Sequence, residues 1–133
     1  QCAVVKVKLK FYKKDLALRQ EIATKYTKLL SNITQSLITP IIMDNCTSAF
    51  AHYSIRVKNR NEVQQKLKEV GIPTAVHYPI PLHLQECFEY LGYKKGDLPI
   101  SEMVSDEIMS LPINPYIKNN ELHYISESLK EIL

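Results

Sequence analysis

The stretch NRNEVQQKLKEVGIPTAVHYPIPLH, residues 59–83, changes from a helical pattern to a strand pattern at a single glycine. Val63 and Leu67 recur at helical spacing after an asparagine that can cap a helix. Gly71 follows at the position where helices commonly end in a left-handed residue. Residues 74–78 then have the composition of a short strand, and three prolines stiffen its surroundings. This order of helix, glycine and strand predicts an α+β fold.

The flanking segments extend the α+β pattern. Residues 49–57 are rich in aromatic and branched side chains, and residues 41–43 form a short apolar run; both predict strands beside residues 74–78. The sheet is therefore expected to be small and mainly antiparallel, with helices packed against it. Further along the chain, the pattern predicts helices over 84–91, over 101–109 with Ser101 as its cap, and from Asn119 or Asn120 onward, with a brief extended piece at 111–113.

The first 30 residues carry two competing periodicities. Residues 5–11 alternate strictly between apolar and other side chains, which is typical of a half-buried strand. Apolar residues from Cys2 to Leu16 also recur at spacings of three or four, as on one face of a helix. Residues 15–30 show the helical stripe more clearly, so a long helix is predicted there. For the residues before it, strand and helix fit nearly equally.

Length and composition indicate one globular domain over residues 1–133. The chain is 45% hydrophobic and 23% charged, which is ordinary for a globular protein. No run approaches the ~18 apolar residues that a membrane span requires, and the first residues do not resemble a secretory signal. Cys2, Cys46 and Cys87 are odd in number and widely spaced, which favours reduced thiols and a cytoplasmic protein.

Charge and glycine content exclude two further classes. The net charge of +3 is spread over predicted helix faces, and only residues 13–14 and 94–95 are adjacent lysine pairs. This distribution is too diffuse for a nucleic-acid partner. The chain has three glycines, too few and too scattered for a glycine-rich phosphate loop.

His77 and Tyr78 are the strongest candidates for contact with a ligand. They stand at the end of a predicted strand, and Pro79 and Pro81 follow them at once. Fixed backbone at this point would present an imidazole and a phenol to a bound molecule. The alternative is structural, with Tyr78 in the core and His77 bonded to a local carbonyl. The pattern alone leaves both interpretations open.

Other histidines allow weaker sites. His77, His83 and Cys87 could supply three metal ligands, but a fourth ligand and nearby acidic residues are missing. His83 and Cys87 could form a nucleophilic pair, but no third group would orient it. We therefore expect no metal site and no catalytic residue in this chain. His52 and His123 are expected to be partly buried or surface histidines.

Three motifs carry a family resemblance: GIPTAVHYPIPLH at 71–83, GDLPISE at 96–102 and EIMSLPINPY at 107–116. With the residues around them, they resemble the C-terminal part of the DegT/DnrJ/EryC1/StrS family of pyridoxal-phosphate sugar aminotransferases. Residues 1–30 resemble the helix by which that family's chain leaves its large domain. The resemblance thus covers nearly the whole chain, and it favours a helical lead-in over residues 1–30 despite the alternation.

The resemblance implies that residues 1–133 are the small domain of a larger enzyme, folded like the C-terminal domain of fold-type I pyridoxal-phosphate transferases. The chain begins with Gln1 instead of Met, which we interpret as a start within a longer protein. The family's cofactor lysine, its pyridine-binding aspartate and its phosphate loop would precede Gln1. No cofactor is therefore expected on this chain, which would not be catalytic alone.

The resemblance also implies a reaction and a site. The parent would transfer an amino group, usually from glutamate, to a keto sugar carried on a nucleotide diphosphate, and would be a homodimer. His77 and Tyr78 match the family's residues that contact the sugar. Arg56 and the lysines at 94–95 are weaker candidates for contact with the diphosphate. The chain departs from the family at residues 50–53, where a stretch containing tryptophan is commoner.

A second hypothesis from another class is a free-standing α+β interaction module without ligand chemistry. The polypeptide upstream of Gln1 distinguishes the two, because only the aminotransferase requires a further domain with a lysine that binds the cofactor. Neither pattern nor resemblance identifies the sugar, the nucleotide, or whether the 3- or the 4-position is aminated.

Overall fold

A computed structural model describes residues 1–31, 33 and 36–133. The chain opens with two helices, continues through an irregular segment into a strand and a helix, and then passes through two short 3₁₀ helices. It ends with a helix, a second strand and a long final helix. The bounds are α1 Cys2–Leu9, α2 Tyr12–Leu30, β1 Tyr53–Arg56, α3 Arg60–Glu69, the 3₁₀ helices Leu82–Leu84 and Glu86–Leu91, α4 Pro99–Glu107, β2 Ile108–Leu111 and α5 Asn119–Ile132.

The sheet is an antiparallel pair in which Tyr53 lies opposite Leu111 and Ser54 opposite Ser110. The segment before α4 extends it at one point, because Ala75 forms a single bridge with Ser110. Side chains alternate across a strand, so one face of the sheet is apolar and the other is polar. The apolar face is buried and consists of Tyr53, Ile55, Met109 and Leu111.

The core lies between that apolar face and helices α2, α3 and α5. Tyr26 of α2 stacks on Tyr53 with ring centroids 4.9 Å apart, and its hydroxyl donates to the Pro112 carbonyl at 2.9 Å. Burial raises the pKa of Tyr26 above its ordinary value and that of Tyr53 to about 12, so both phenols stay neutral at physiological pH. The remaining buried apolar residues are Ile22, Ala23, Leu30, Leu37, Val57, Val63, Leu67, Ile72, Leu122, Ile125 and Leu129.

The α+β prediction is confirmed, and so is helix in the first 30 residues. Helices α1 and α2 cover this region with a break at Lys10 and Phe11, so the strict alternation of residues 5–11 does not form a strand. Every residue of α1 is exposed, which explains why the alternation matched no buried face. Gly71 follows α3 with a φ of +79°, the left-handed conformation expected there.

The strand predictions are confirmed in part. Residues 49–57 contain β1, but residues 74–78 contribute only the bridge at Ala75. The predicted strand at 41–43 is wrong, because these residues have no strand partner and their apolar side chains are exposed. An apolar composition at that point does not correspond to a buried face.

The prediction of a helix over 101–109 misplaced both ends. Helix α4 begins at Pro99 after Leu98, so Ser101 lies within the helix and is not its cap. It ends at Glu107, and Ile108–Leu111 form β2. Pairing with β1 on one side and Ala75 on the other overrides the local helical pattern. No helix among the described residues combines the length and the apolarity needed to cross a bilayer.

Candidate substrate-binding site

The polar face of the sheet gathers two histidines and two serines. Ser54 and Ser110 lie directly opposite each other in the register of β1 and β2. His77 follows two residues after the bridge at Ala75, so it reaches diagonally across to Ser110. His52 lies just before β1 and contacts the His77 ring. We call these four residues the histidine–serine cluster.

Contacts within the histidine–serine cluster fix the His77 ring on two sides. Its Nδ1 lies 3.1 Å from Ser110 Oγ, and Ser110 Oγ lies 3.0 Å from Ser54 Oγ. The His52 ring lies against it, with centroids 4.1 Å apart. His77 is half-buried, and among the described residues its Nε2 has no hydrogen-bond partner. This nitrogen is therefore the one available to a ligand.

Tyr78 is placed differently from its neighbour. Its side chain is 71% exposed, and its ring meets the His77 ring edge-on with centroids 5.7 Å apart. The sequence analysis left open a structural interpretation in which Tyr78 packs in the core. That interpretation is wrong, because most of the Tyr78 side chain is exposed. Tyr78 stands at the edge of an open cleft of about 680 Å³ whose walls are mainly apolar, including Leu82, Phe88, Tyr93 and Ile100.

Together, His77 and Tyr78 offer a ring nitrogen and a phenol hydroxyl beside an apolar cleft. Such an arrangement suits a ligand with several hydroxyl groups, because an imidazole and a phenol can each donate or accept a hydrogen bond. The geometry suits the binding and orientation of such a ligand.

His83 has a partner within the chain. It is buried, and its Nε2 lies 3.0 Å from a carboxylate oxygen of Glu102 on α4. The same carboxylate accepts the Gly96 backbone N–H at 2.8 and 3.0 Å. These contacts join the 3₁₀ turn at Leu82–Leu84 to α4 and to the loop that precedes it. The Gly96 N–H, followed by the His83 ring, holds the pKa of Glu102 below its usual value.

A variant tests this link between His83 and Glu102. A carboxylate with a lowered pKa in the folded state stabilises the fold at pH values above its ordinary pKa and loses that effect as the pH falls. We expect Glu102→Gln to lower the urea midpoint of unfolding at pH 7. Near pH 3, the midpoints of the variant and of the unsubstituted chain should lie closer together. Urea unfolding between these two pH values measures the difference. Glu131→Gln, on the exposed side of α5, is the control, and an equal loss at both pH values would contradict the link.

The structure does not bring His77, His83 and Cys87 together as a metal site, nor His83 and Cys87 as a nucleophilic pair. Cys87 is exposed, and its thiol lies 3.9 Å from the Gln85 side-chain oxygen rather than beside His83. In the part of the chain that the structure describes, no three histidine, cysteine, aspartate or glutamate side chains are grouped to hold a metal ion.

Arg56, Lys94 and Lys95 are the basic residues that the sequence analysis considered for contact with the diphosphate. Arg56 donates through Nε and Nη2 to one oxygen of Glu107, at 3.1 and 2.7 Å, so this guanidinium has a partner within the chain. Lys94 and Lys95 are exposed and belong to the loop before α4. Among the described residues, no hydrogen bond or ion pair joins any of these three to the histidine–serine cluster.

The described residues offer no sheltered lysine for the pyridoxal phosphate that the resemblance implies. The cofactor needs a lysine amine in a sheltered pocket for its covalent linkage. Lys25 is the least exposed lysine; it bonds to Glu21 at 2.8 Å and to Asn119 at 3.1 Å, and every other lysine is exposed. We therefore assign no step of cofactor chemistry to this chain.

Ser54 and Ser110 belong to the histidine–serine cluster, and the sequence analysis did not single them out. A serine has no distinctive pattern, and only the pairing of β1 with β2 places the two hydroxyls together. His52 is exposed as expected of a surface histidine, but its stacking on His77 was not foreseen. The signal that existed was the alternation of His52 and Ser54 with the buried Tyr53 and Ile55.

Comparison with known proteins adds a family and several relatives. The family model described as the DegT/DnrJ/EryC1/StrS aminotransferase family matches residues 1–130. The chain is 40% identical to a protein of Geobacillus stearothermophilus named pleiotropic regulatory protein, over 98% of this chain and 36% of the relative. It is 37% identical to the UDP-2-acetamido-2-deoxy-3-oxo-D-glucuronate aminotransferase of Pseudomonas aeruginosa, over 97% of this chain and 34% of that enzyme.

A solved structure agrees with these relatives. The crystal structure of a DegT DnrJ EryC1 StrS aminotransferase from Brucella abortus superimposes with a TM-score of 0.88 at 32% identity, covering 98% of this chain and 34% of that one. The chain therefore spans about a third of the length of the relatives that it matches.

Proposed function

The chain belongs to the DegT/DnrJ/EryC1/StrS aminotransferase family, and we propose from this premise that it forms part of a pyridoxal-phosphate sugar aminotransferase. The intact enzyme moves an amino group from glutamate to a keto sugar carried on a nucleotide diphosphate, a step in making surface polysaccharide or glycan precursors. The observation that carries this proposal is the match to the family over residues 1–130. The Pseudomonas aeruginosa relative, named for a UDP-linked 3-oxo sugar, supports the substrate class.

Residues 1–133 are, in this proposal, the C-terminal small domain, and residues 1–30 are the helical lead-in from a larger N-terminal domain. The exposure of α1 supports this arrangement, because Val4, Val5, Val7 and Leu9 are each more than half exposed. Apolar side chains on such a surface usually pack against another part of the assembly. The larger domain binds the pyridoxal phosphate, which supplies the electron sink for amino transfer, and the intact enzyme is a homodimer.

The role of this chain is to hold the sugar. His77 and Tyr78 hydrogen-bond to the sugar hydroxyls, and the apolar cleft beside Tyr78 excludes water from one side of the ligand. Binding a sugar at fixed orientation brings its carbonyl carbon to the amine on the cofactor and lowers the entropic cost of the reaction. No residue of this chain carries the amino group, so amino transfer requires the rest of the polypeptide.

One feature fits a cytoplasmic enzyme of this kind. Its three cysteines are unpaired and exposed, as is usual in a reducing compartment. The runner-up, a free-standing interaction module, explains neither the family match over almost the whole chain nor its coverage of only a third of each relative. The coding sequence upstream of Gln1 separates the two hypotheses directly.

The experiment that tests the proposal uses Tyr78→Phe in the full-length polypeptide. Removing one hydroxyl removes one hydrogen bond to the sugar, so we expect kcat/KM for the nucleotide sugar to fall about threefold to tenfold. The half-reaction with glutamate does not involve the sugar and should keep its rate. Single-turnover kinetics of the two half-reactions measure both values. Tyr90→Phe, an exposed tyrosine outside the cleft, is the matched control.

Two results would count against the proposal. If the full-length polypeptide transfers no amino group from glutamate to any nucleotide-linked keto sugar, the proposed reaction is wrong. If Tyr78→Phe slows both half-reactions equally, the reaction stands but Tyr78 is not a sugar contact.

A further inference from the structure

We propose that Ser110 is a positioning residue that holds the His77 ring through Nδ1 and thereby presents Nε2 to the sugar. The inference rests on the proposed function, since His77 must touch the sugar for its orientation to matter. Neither the resemblance nor the comparisons assign a role to Ser110, which the sequence analysis did not single out.

The backbone of Ser110 is hydrogen-bonded on one side and lies against β1 on the other. Its N–H donates to the Ala75 carbonyl at 2.7 Å, and its own carbonyl accepts the Ala75 N–H at 3.2 Å. On the other side it pairs with Ser54 of β1. Ser110 is only 5% exposed, so its hydroxyl has little freedom and little contact with water. The oxygen that contacts His77 is therefore a fixed point of the sheet.

Two proton arrangements let Ser110 both donate and accept within the histidine–serine cluster. Each serine has one proton to donate, and Ser110 Oγ lies between Ser54 Oγ and His77 Nδ1. Either Ser54 donates to Ser110 and Ser110 to Nδ1, or Nδ1 donates to Ser110 and Ser110 to Ser54. Both arrangements occupy Nδ1 and leave Nε2 for the ligand. Ser110 thus fixes which edge of the ring faces outward, and the stacked His52 ring supports one face.

Loss of the Ser110 hydroxyl frees the imidazole to rotate. The His77 side chain then populates orientations in which Nε2 no longer faces the sugar, so part of the bound population loses one hydrogen bond. An orientation effect of this kind weakens ground-state and transition-state contacts alike, which raises KM and leaves kcat unchanged. Replacement by a residue that keeps a hydroxyl should restore the contact.

The test uses the full-length enzyme and the steady-state kinetics of its nucleotide-sugar substrate. We expect Ser110→Ala to raise the sugar KM about threefold to tenfold with kcat within about twofold, and Ser110→Thr to restore KM. If Ser110→Ala does not fold, Ser110→Cys, which keeps the volume and weakens the hydrogen bond, takes its place. Ser126→Ala removes another buried hydroxyl, one that bonds within α5, and serves as the control.

A double-mutant cycle with His77→Ala decides whether Ser110 acts through His77. If it does, adding Ser110→Ala to His77→Ala changes the sugar KM no further. An equal increase in KM with and without His77 would overturn the inference, and so would an unchanged KM in the single variant. A normal sugar half-reaction in His77→Ala alone would instead refute the proposed sugar contact, so the two failures are distinguishable.

Discussion

His77→Ala in the full-length enzyme is expected to lower kcat/KM for the nucleotide sugar by about threefold to a hundredfold while the glutamate half-reaction keeps its rate. The width of this expected range comes from the hydrogen bond between Nε2 and the sugar. Its loss costs most if the sugar group is left buried and without a partner. His77 lies at the polar face of the sheet and contacts Ser110 and His52, so its truncation affects ligand contact before it affects the core. Single-turnover measurements of both half-reactions give the comparison.

A matched control is available for this variant. His123 is an exposed histidine on α5, which lies outside the histidine–serine cluster. We expect His123→Ala to leave both half-reactions within about twofold of the parent enzyme. If His77→Ala slows the glutamate half-reaction as much as the sugar half-reaction, the residue is part of the general structure of the enzyme and not a sugar contact.

Met109→Ala is expected to destabilise the fold by about 2–5 kcal/mol, the range for removing a buried methionine side chain. Met109 has no exposed surface and lies on the apolar face of β2, directly opposite Ile55. The truncation leaves a cavity under the strand that carries Ser110. Urea unfolding monitored by circular dichroism measures the change in the free energy of unfolding.

Met103 offers the matched control for this substitution. It is a methionine on α4 with 39% of its surface exposed, so its truncation removes fewer packing contacts. We expect Met103→Ala to cost less than about 1 kcal/mol. Equal losses at positions 103 and 109 would contradict the placement of Met109 in a strand with one buried face.

Local sequence patterns were sufficient to predict those elements whose conformation depends mainly on their own residues. Helix α3 and Gly71 follow from apolar spacing and from the backbone conformation that glycine permits. Strand β2 could not be predicted in this way, because it is four residues long and its partners lie far away in sequence. At residues 41–43 the local pattern predicted a strand that does not form, because these apolar side chains are exposed and belong to no buried face.

The candidate site likewise contains residues that the sequence predicts and residues that only the tertiary structure reveals. His77 and Tyr78 stand out in the sequence because prolines surround them, and family resemblance gives them a role. Ser54 and Ser110 have no such signal, since only the register of two strands brings their hydroxyls within 3.0 Å of each other. The contact that fixes the His77 ring is therefore a property of the tertiary structure and not of the motif that contains it.

The most direct test of the account is a crystal structure of the full-length enzyme with a nucleotide-linked sugar bound. We predict that the sugar lies against the polar face of the sheet, with His77 Nε2 and the Tyr78 hydroxyl each about 2.7–3.2 Å from a sugar oxygen. The cofactor should be bound by residues that precede Gln1. A sugar bound away from both His77 and Tyr78 would contradict the account.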